Sequence, residues 1–218
     1  MPLEVIPAIL VKDRGELLRR IAAVSPHVKT VHIDVMDNRF VPNRTVGLES
    51  FSDLPSSVHY EFHWMVEHPE SYIAGLPGPY LHIVHCEAVK DWGVVEEAVR
   101  RAGGALGIAF NPATPTGKII GLASKTKRIL AMTVVPGFDG QKYMAEVELK
   151  ISELRARFPA MEIEVDGGIN PETAARAVKA GADKLAASSA IFTKDDKKLA
   201  IAMILRSCGV LECRTGSG

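Results

Sequence analysis

Four residues in three short apolar runs can do chemistry in this chain. In VHIDVM, Val31, Ile33 and Val35 alternate with His32, Asp34 and Met36. An extended strand there puts an imidazole, a carboxylate and a thioether on one face and aliphatic side chains on the other. In YEFHWMV, His63 and Met65 share a face. In EIEVDGG, Asp166 closes the run immediately before Gly167-Gly168, and in ILAMTVVPGFDGQ, Met132 precedes a Pro-Gly-Gly loop. A buried carboxylate without a partner is costly, so two Asp and two His converging on one place need either mutual pairing or a metal. His32, Asp34, His63 and Asp166 are two imidazoles and two carboxylates, a donor set for one divalent ion such as Zn²⁺, Fe²⁺, Mn²⁺ or Co²⁺. Spacing alone does not choose between these outcomes. A single His is more often a hydrogen-bonded core or loop residue, the reading kept for His27, His59, His68, His82 and His85. Of these, His85 in the HCE stretch could reach the pocket, although nothing in the sequence obliges it to.

The elements that must position these groups recur at a regular spacing. Short β-type runs end near Leu10, Met36, Met65, Cys86, Phe110, Val135, Asp166 and Ala187. Consecutive ends are about 20 to 30 residues apart, enough for a loop, a helix and a return to a parallel neighbour. Asp13 and Asp91 are placed to cap helices. Asn170-Pro171-Glu172 offers an N-cap followed by Pro at the first helical position, and Gly181 ends that helix. The crossover around GLESFSDLPSS has the weakest helical pattern. Eight strands in one domain of this length fit an α/β protein of the (β/α)8 TIM-barrel type better than a doubly wound sheet. In a barrel, His32 and Asp34 point inward near the C-terminal end of their strand, where such folds carry their sites.

Composition limits the alternatives. The 218 residues are expected to form a single barrel domain over 1–210, with a flexible tail at 211–218 that has little to bury. Lys plus Arg, 26, equals Asp plus Glu, 26, so no net field draws the chain to nucleic acid or an anionic membrane. No segment approaches the ~20 apolar residues of a membrane span and no leader pattern opens the chain, which predicts a cytoplasmic protein. Cys86, Cys208 and Cys213 have neither a disulfide-framework nor a metal-site spacing, consistent with a reducing compartment.

The stretches VHIDVMDNRFVPN, FHWMVEHPESYI, FNPATP, MTVVPGFDGQKY, IEVDGGINPET and AGADKLAASSAIF, in this order from Pro7 to Phe192, resemble the motifs of the ribulose-phosphate 3-epimerase family. The resemblance implies a (β/α)8 barrel that interconverts D-ribulose 5-phosphate and D-xylulose 5-phosphate by inverting C3. It implies that His32, Asp34, His63 and Asp166 hold a metal, that Asp34 and Asp166 are the acid–base pair, and that Met36, Met65 and Met132 cover the reacting carbon. It makes a small sugar phosphate the partner and permits a homo-oligomer. The chemistry agrees with the residues. Epimerisation beside a ketone removes a weakly acidic proton from one face and returns one to the other, which takes two acid–base groups. The phosphate end is expected in the loops Gly137-Phe138-Asp139-Gly140, Gly167-Gly168 and Ser188-Ser189, where barrels often bind phosphate, with His63 also touching substrate.

The chain departs from the family pattern around the substrate. Ala8 stands where Ser is usual, Leu10-Val11 where LS is common, Asp139 where the loop usually has Gly, Ser188 where Gly is usual and Asn38 where Gly is common. A carboxylate at 139 repels a phosphate dianion unless its side chain turns away. Asn tolerates the left-handed backbone that Gly would supply. These departures keep two alternatives open: an epimerase of a different ketose or ketose phosphate, and a non-catalytic sugar-phosphate-binding paralogue.

Overall fold

The computed structural model describes residues 2–209 and is a closed barrel of eight parallel strands in sequential order, with the last strand pairing with the first. The strands are β1 (Glu4–Ile9), β2 (Thr30–Met36), β3 (His59–Met65), β4 (Leu81–His85), β5 (Ala105–Phe110), β6 (Arg128–Met132), β7 (Glu162–Asp166) and β8 (Lys184–Ala187). Around them lie α1 (Arg14–Val24), α2 (Pro69–Ala74), α3 (Trp92–Ala102), α4 (Thr116–Leu122), α5 (Val147–Arg157), α6 (Pro171–Ala180), α7 (Ser189–Phe192) and α8 (Lys197–Ser207). The expected tail at 211–218, with Cys213, lies outside the described residues. No helix among the described residues is long and apolar enough to cross a membrane.

The caps read from the sequence are present. The Asp13 carboxylate accepts the Glu16 N–H at 2.9 Å to start α1, and Asp91 accepts the Gly93 N–H at 2.8 Å to start α3. Asn170 and Thr173 form a reciprocal capping box at the start of α6, which Gly181 ends with φ of 119°. The paired basic residues lie on solvated helix faces, where Arg19 and Arg20 bond Glu16, and Arg100 and Arg101 bond Glu97.

One expectation holds and one strand boundary is corrected. The crossover between β2 and β3 has no α-helix, only a single 3₁₀ turn at Leu48–Ser50, in keeping with its weak helical pattern. The sixth strand ends at Met132 rather than near Val135. Its continuation leaves the ladder because Thr133 caps the end of β7, its N–H donating to the Asp166 carbonyl at 2.7 Å and its hydroxyl to the Gly167 carbonyl at 2.6 Å.

The large apolar core lies between strands and helices, where Ile33, Phe62, Trp64 and Val165 meet Leu17, Ile21, Ile151 and Leu154. The barrel interior holds a smaller apolar cluster of Ile83, Ala109, Leu130, Met132 and Val134. Much of the rest of the interior is charged, and that arrangement positions the site.

Candidate active site

Strand alternation brings His32, Asp34 and Met36 of β2 to the same side as Glu61, His63 and Met65 of β3, in a register that pairs Asp34 with His63 and Met36 with Met65. Asp166 ends β7, opposite Met132 of β6 and Ala186 of β8. The four residues singled out in the sequence converge: one ligand-type atom from each of His32, Asp34, His63 and Asp166 lies within 4.8 Å of all the others. His63 Nδ1 is 2.9 Å from Asp34 Oδ1 and 3.7 Å from Asp166 Oδ2. His32 Nε2 is 3.3 Å from Asp34 Oδ1 but is not aligned to bond it, and this fully buried nitrogen has no hydrogen-bond partner among the described residues. A buried orphan nitrogen facing two carboxylates is a poor arrangement for mutual pairing alone and a good one for a cation. The donor set fits a divalent metal.

Outer contacts fix both imidazoles. His32 Nδ1 lies 2.7 Å from Glu61 Oε1 and 3.2 Å from Glu164 Oε1, which turns Nε2 toward the cluster. Arg128 spans beneath, its guanidinium bonding Glu61 at 2.9 Å, Glu164 at 2.7 Å and Glu162 at 2.8 Å. On the other side His63 Nε2 meets His85 Nε2 at 2.9 Å. His85 Nδ1 reaches Glu87 at 3.3 Å, and Glu87 in turn accepts the Asn111 N–H at 2.9 Å and the Thr114 hydroxyl. Such outer partners set the tautomer and direction of a ligating imidazole.

The two aspartates are electrostatically unlike. Burial opposes ionisation of Asp34, but the neighbouring imidazoles of His32 and His63, the latter bonded to it at 2.9 Å, outweigh that and hold its carboxyl well below the usual range. Burial and the Asp34 charge push the Asp166 carboxyl well above that range. Burial lowers His63 to about 4. Burial and Glu164 raise Glu61 to about 7.

Above the carboxylates, Met36, Met65 and Met132 are each at most 3 % exposed and line the cavity with Leu10. The far end of the same cavity is formed by Gly137, Phe138, Asp139, Gly140, Gly167, Gly168, Ser188 and Ser189, the loops named from the sequence. Gly167 and Gly168 have φ of 116° and 66°, and a Cβ there would lie 2.5 Å from Val134 Cγ2 and 2.8 Å from the Tyr143 nitrogen, so neither position admits a side chain. Asn43 ties the β2 loop to the β6 loop by donating to the Gly137 carbonyl at 2.7 Å. Asp37 accepts N–H groups from Arg39, Phe40 and Glu67, joining the loops after β2 and β3. Asn38 is left-handed, with φ of 62°. Ala8 is buried beside His32 in the β1–β2 register and offers no hydroxyl.

Sequence reading missed Glu61, Glu164 and Arg128, and left His85 open. The signal for the two glutamates was present, since each stands two residues before a named member of the cluster and therefore on the same strand face. Of the other histidines, His27, His59 and His68 are exposed, and His82 accepts the Trp64 indole N–H at 3.2 Å outside the barrel.

Known proteins resemble this chain over most of its length. Ribulose-phosphate 3-epimerases from Mycobacterium tuberculosis and Bacillus subtilis are 34% and 36% identical to the chain, covering 94% and 93% of it and 93% and 98% of their own lengths. The enzyme of that name from Methanocaldococcus jannaschii is 38% identical, covering 89% of this chain and 86% of its own. Among solved structures, a 3-hexulose-6-phosphate synthase superposes with a TM-score of 0.67 at 15% identity, covering 94% of this chain and 99% of its own, a likeness of fold alone. The profile of the ribulose-phosphate 3 epimerase family matches residues 4–192, and the chain belongs to that family of carbohydrate epimerases.

Proposed function

We propose that the protein is a metal-dependent 3-epimerase that interconverts D-ribulose 5-phosphate and D-xylulose 5-phosphate. The observation that carries this reading is the placement of Asp34 and Asp166 on strands three places apart round the barrel, both near His63 Nδ1, in surroundings that hold the first carboxyl low and push the second up. With C3 of the ketose between them, Asp34 takes the C3 proton from one face as the C–H electron pair moves toward the carbonyl. Asp166 delivers its own proton to the opposite face of the planar enediolate, and the pair ends with its protonation exchanged. The reverse reaction uses the same two groups in exchanged roles, so they titrate as a pair.

His32, Asp34, His63 and Asp166 would hold the cation, Zn²⁺, Fe²⁺, Mn²⁺ or Co²⁺, which supplies Lewis-acid stabilisation of the negative charge developing on the substrate oxygens. Glu61 and His85 keep the two imidazoles aimed at the cluster. Met36, Met65 and Met132 exclude water without adding fixed charge, and the loops after β6, β7 and β8 receive the distal end of the substrate. Chelator-treated protein should form no xylulose 5-phosphate from ribulose 5-phosphate, and should regain activity with one equivalent of a divalent ion from this group. Full turnover by protein verified to be metal-free would overturn the proposal.

A further inference from the structure

His63 differs from His32 in what stands behind it. His32 Nδ1 meets a carboxylate directly, at Glu61, whereas His63 Nε2 faces a second ring nitrogen, His85 Nε2, at 2.9 Å. Two imidazole nitrogens at that distance share one proton, since two lone pairs or two N–H groups would repel. The ring that holds this proton decides which nitrogen of His63 is bare, because a neutral imidazole has one N–H and one lone pair. His63 Nδ1, 2.9 Å from Asp34 and 3.7 Å from Asp166, can ligate a cation only when bare.

The next contact outward gives the direction. His85 Nδ1 lies 3.3 Å from Glu87 Oε2, and a carboxylate can only accept. Glu87 Oε1 already takes the Asn111 N–H at 2.9 Å and the Thr114 hydroxyl, so the carboxylate is fixed in place. The turn that carries both donors is pinned in its own right, with Lys150 of α5 donating to the Pro112 and Thr114 carbonyls at 2.6 and 2.7 Å. A neutral His85 that donates from Nδ1 keeps a lone pair at Nε2 and accepts the N–H of His63 Nε2. His63 Nδ1 is then left bare, facing the two aspartates.

We propose that Glu87 is a positioning residue of the metal site: acting through His85, it holds the proton of His63 on Nε2 and so presents the Nδ1 lone pair to the cation. The inference rests on the metal-dependent epimerase reading for the cation, but its readouts do not need turnover. Glu87→Gln inverts the chain with little change of volume. The amide oxygen keeps the Asn111 and Thr114 donors, which turns the NH₂ toward His85 Nδ1. His85 then donates from Nε2, and His63 carries its proton on Nδ1, where it blocks ligation.

The test measures Zn²⁺ affinity by competition with a chromogenic chelator and, by NMR of protein with ¹⁵N-labelled histidine, which ring nitrogen of His85 is protonated. Glu87→Gln should weaken zinc binding at least tenfold, and should add no further loss in a His85→Ala background, because it acts only through that ring. Zinc-loaded wild type should carry the His85 proton on Nδ1, and Glu87→Gln should carry it on Nε2. Undiminished zinc affinity in Glu87→Gln, an equal loss in the His85→Ala background, or a His85 proton on Nε2 in wild type would overturn the inference. The wild-type spectrum decides it even if the variant does not fold. Zinc binding without ketose turnover would overturn the epimerase reading and leave this inference to its own two readouts, whereas failure of wild type to bind zinc would overturn both.

Discussion

Replacing Arg128 by Met tests whether the charged floor beneath the site is held together as its geometry indicates. The guanidinium bonds three carboxylates, of which Glu61 and Glu164 are 1 % and 0 % exposed. Met fills much of the arginine stem's volume but leaves two buried carboxyls without their cation. Removing one partner of a buried pair costs about 3–5 kcal/mol. In a chain of this size that lowers the melting temperature by roughly 6–20 °C. The cost depends on pH. Burial and Glu164 already raise Glu61 to about 7 against an ordinary 4.5, and Arg128 opposes that rise. Without the cation the Glu61 carboxyl moves higher still, so at that group the native state holds more protons than the unfolded one, while Glu164, which burial pushes up and His32 and Arg128 hold low, loses part of what keeps it ionised. Stability of the variant then falls as pH rises from about 4.5 through the raised Glu61 value. Urea unfolding at pH 6 and pH 9 reads both effects, as a lower midpoint that drops further at the higher pH. Adding Glu164→Gln to Arg128→Met should restore much of the loss by removing the stranded charge. A loss below about 1 kcal/mol at both pH values, or no rescue by the second substitution, would refute the reasoning.

The opposite side of the site gives two further predictions. His85→Ala removes the partner of His63 Nε2, and should weaken affinity for Zn²⁺ by about 10- to 100-fold in competition with a chromogenic chelator; undiminished affinity would remove His85 from the account. Burial opposes ionisation of Glu87, but bonds from His85, Asn111 and Thr114 hold its carboxyl at about 2, below the ordinary 4.5. Its stabilising contribution is complete above about pH 4.5 and fades as pH falls toward 2, so Glu87→Gln should flatten the acid limb of a stability–pH profile in that window. The same slope in wild type and variant would contradict it.

How much of this was legible in the sequence follows from the range of each interaction. The His32–Asp34 alternation, the Asn170 cap and the Gly167-Gly168 turn are local, and their positions follow from strand period, capping chemistry and backbone freedom. The convergence of His32, Asp34, His63 and Asp166 needed only the barrel and the rule that sites lie at strand C-terminal ends. The floor was hidden because that rule directs attention to the ends, whereas Glu61 and Glu164 lie one inward-facing layer deeper. Arg128 reaches Glu61 across the barrel interior, between strands that are not neighbours. His85 could not be decided without the β3–β4 register, in which His63 pairs with Ile83. The Asp139–Ser188 bond joins residues 49 apart in sequence, so the sequence raised the question of whether that carboxylate turns away and only the fold answered it.

The central claim is two-sided proton transfer at C3 between Asp34 and Asp166. Proton NMR of ribulose 5-phosphate and D-ribulose in D₂O with metal-loaded protein tests it most directly, followed in wild type and in Asp34→Asn and Asp166→Asn variants of matched metal content. The account predicts deuterium entering C3 together with the epimeric product for wild type, and loss of product formation by roughly 100-fold or more in each variant. No deuterium at C3 of either ketose in wild type, with metal bound and the fold intact, would contradict it.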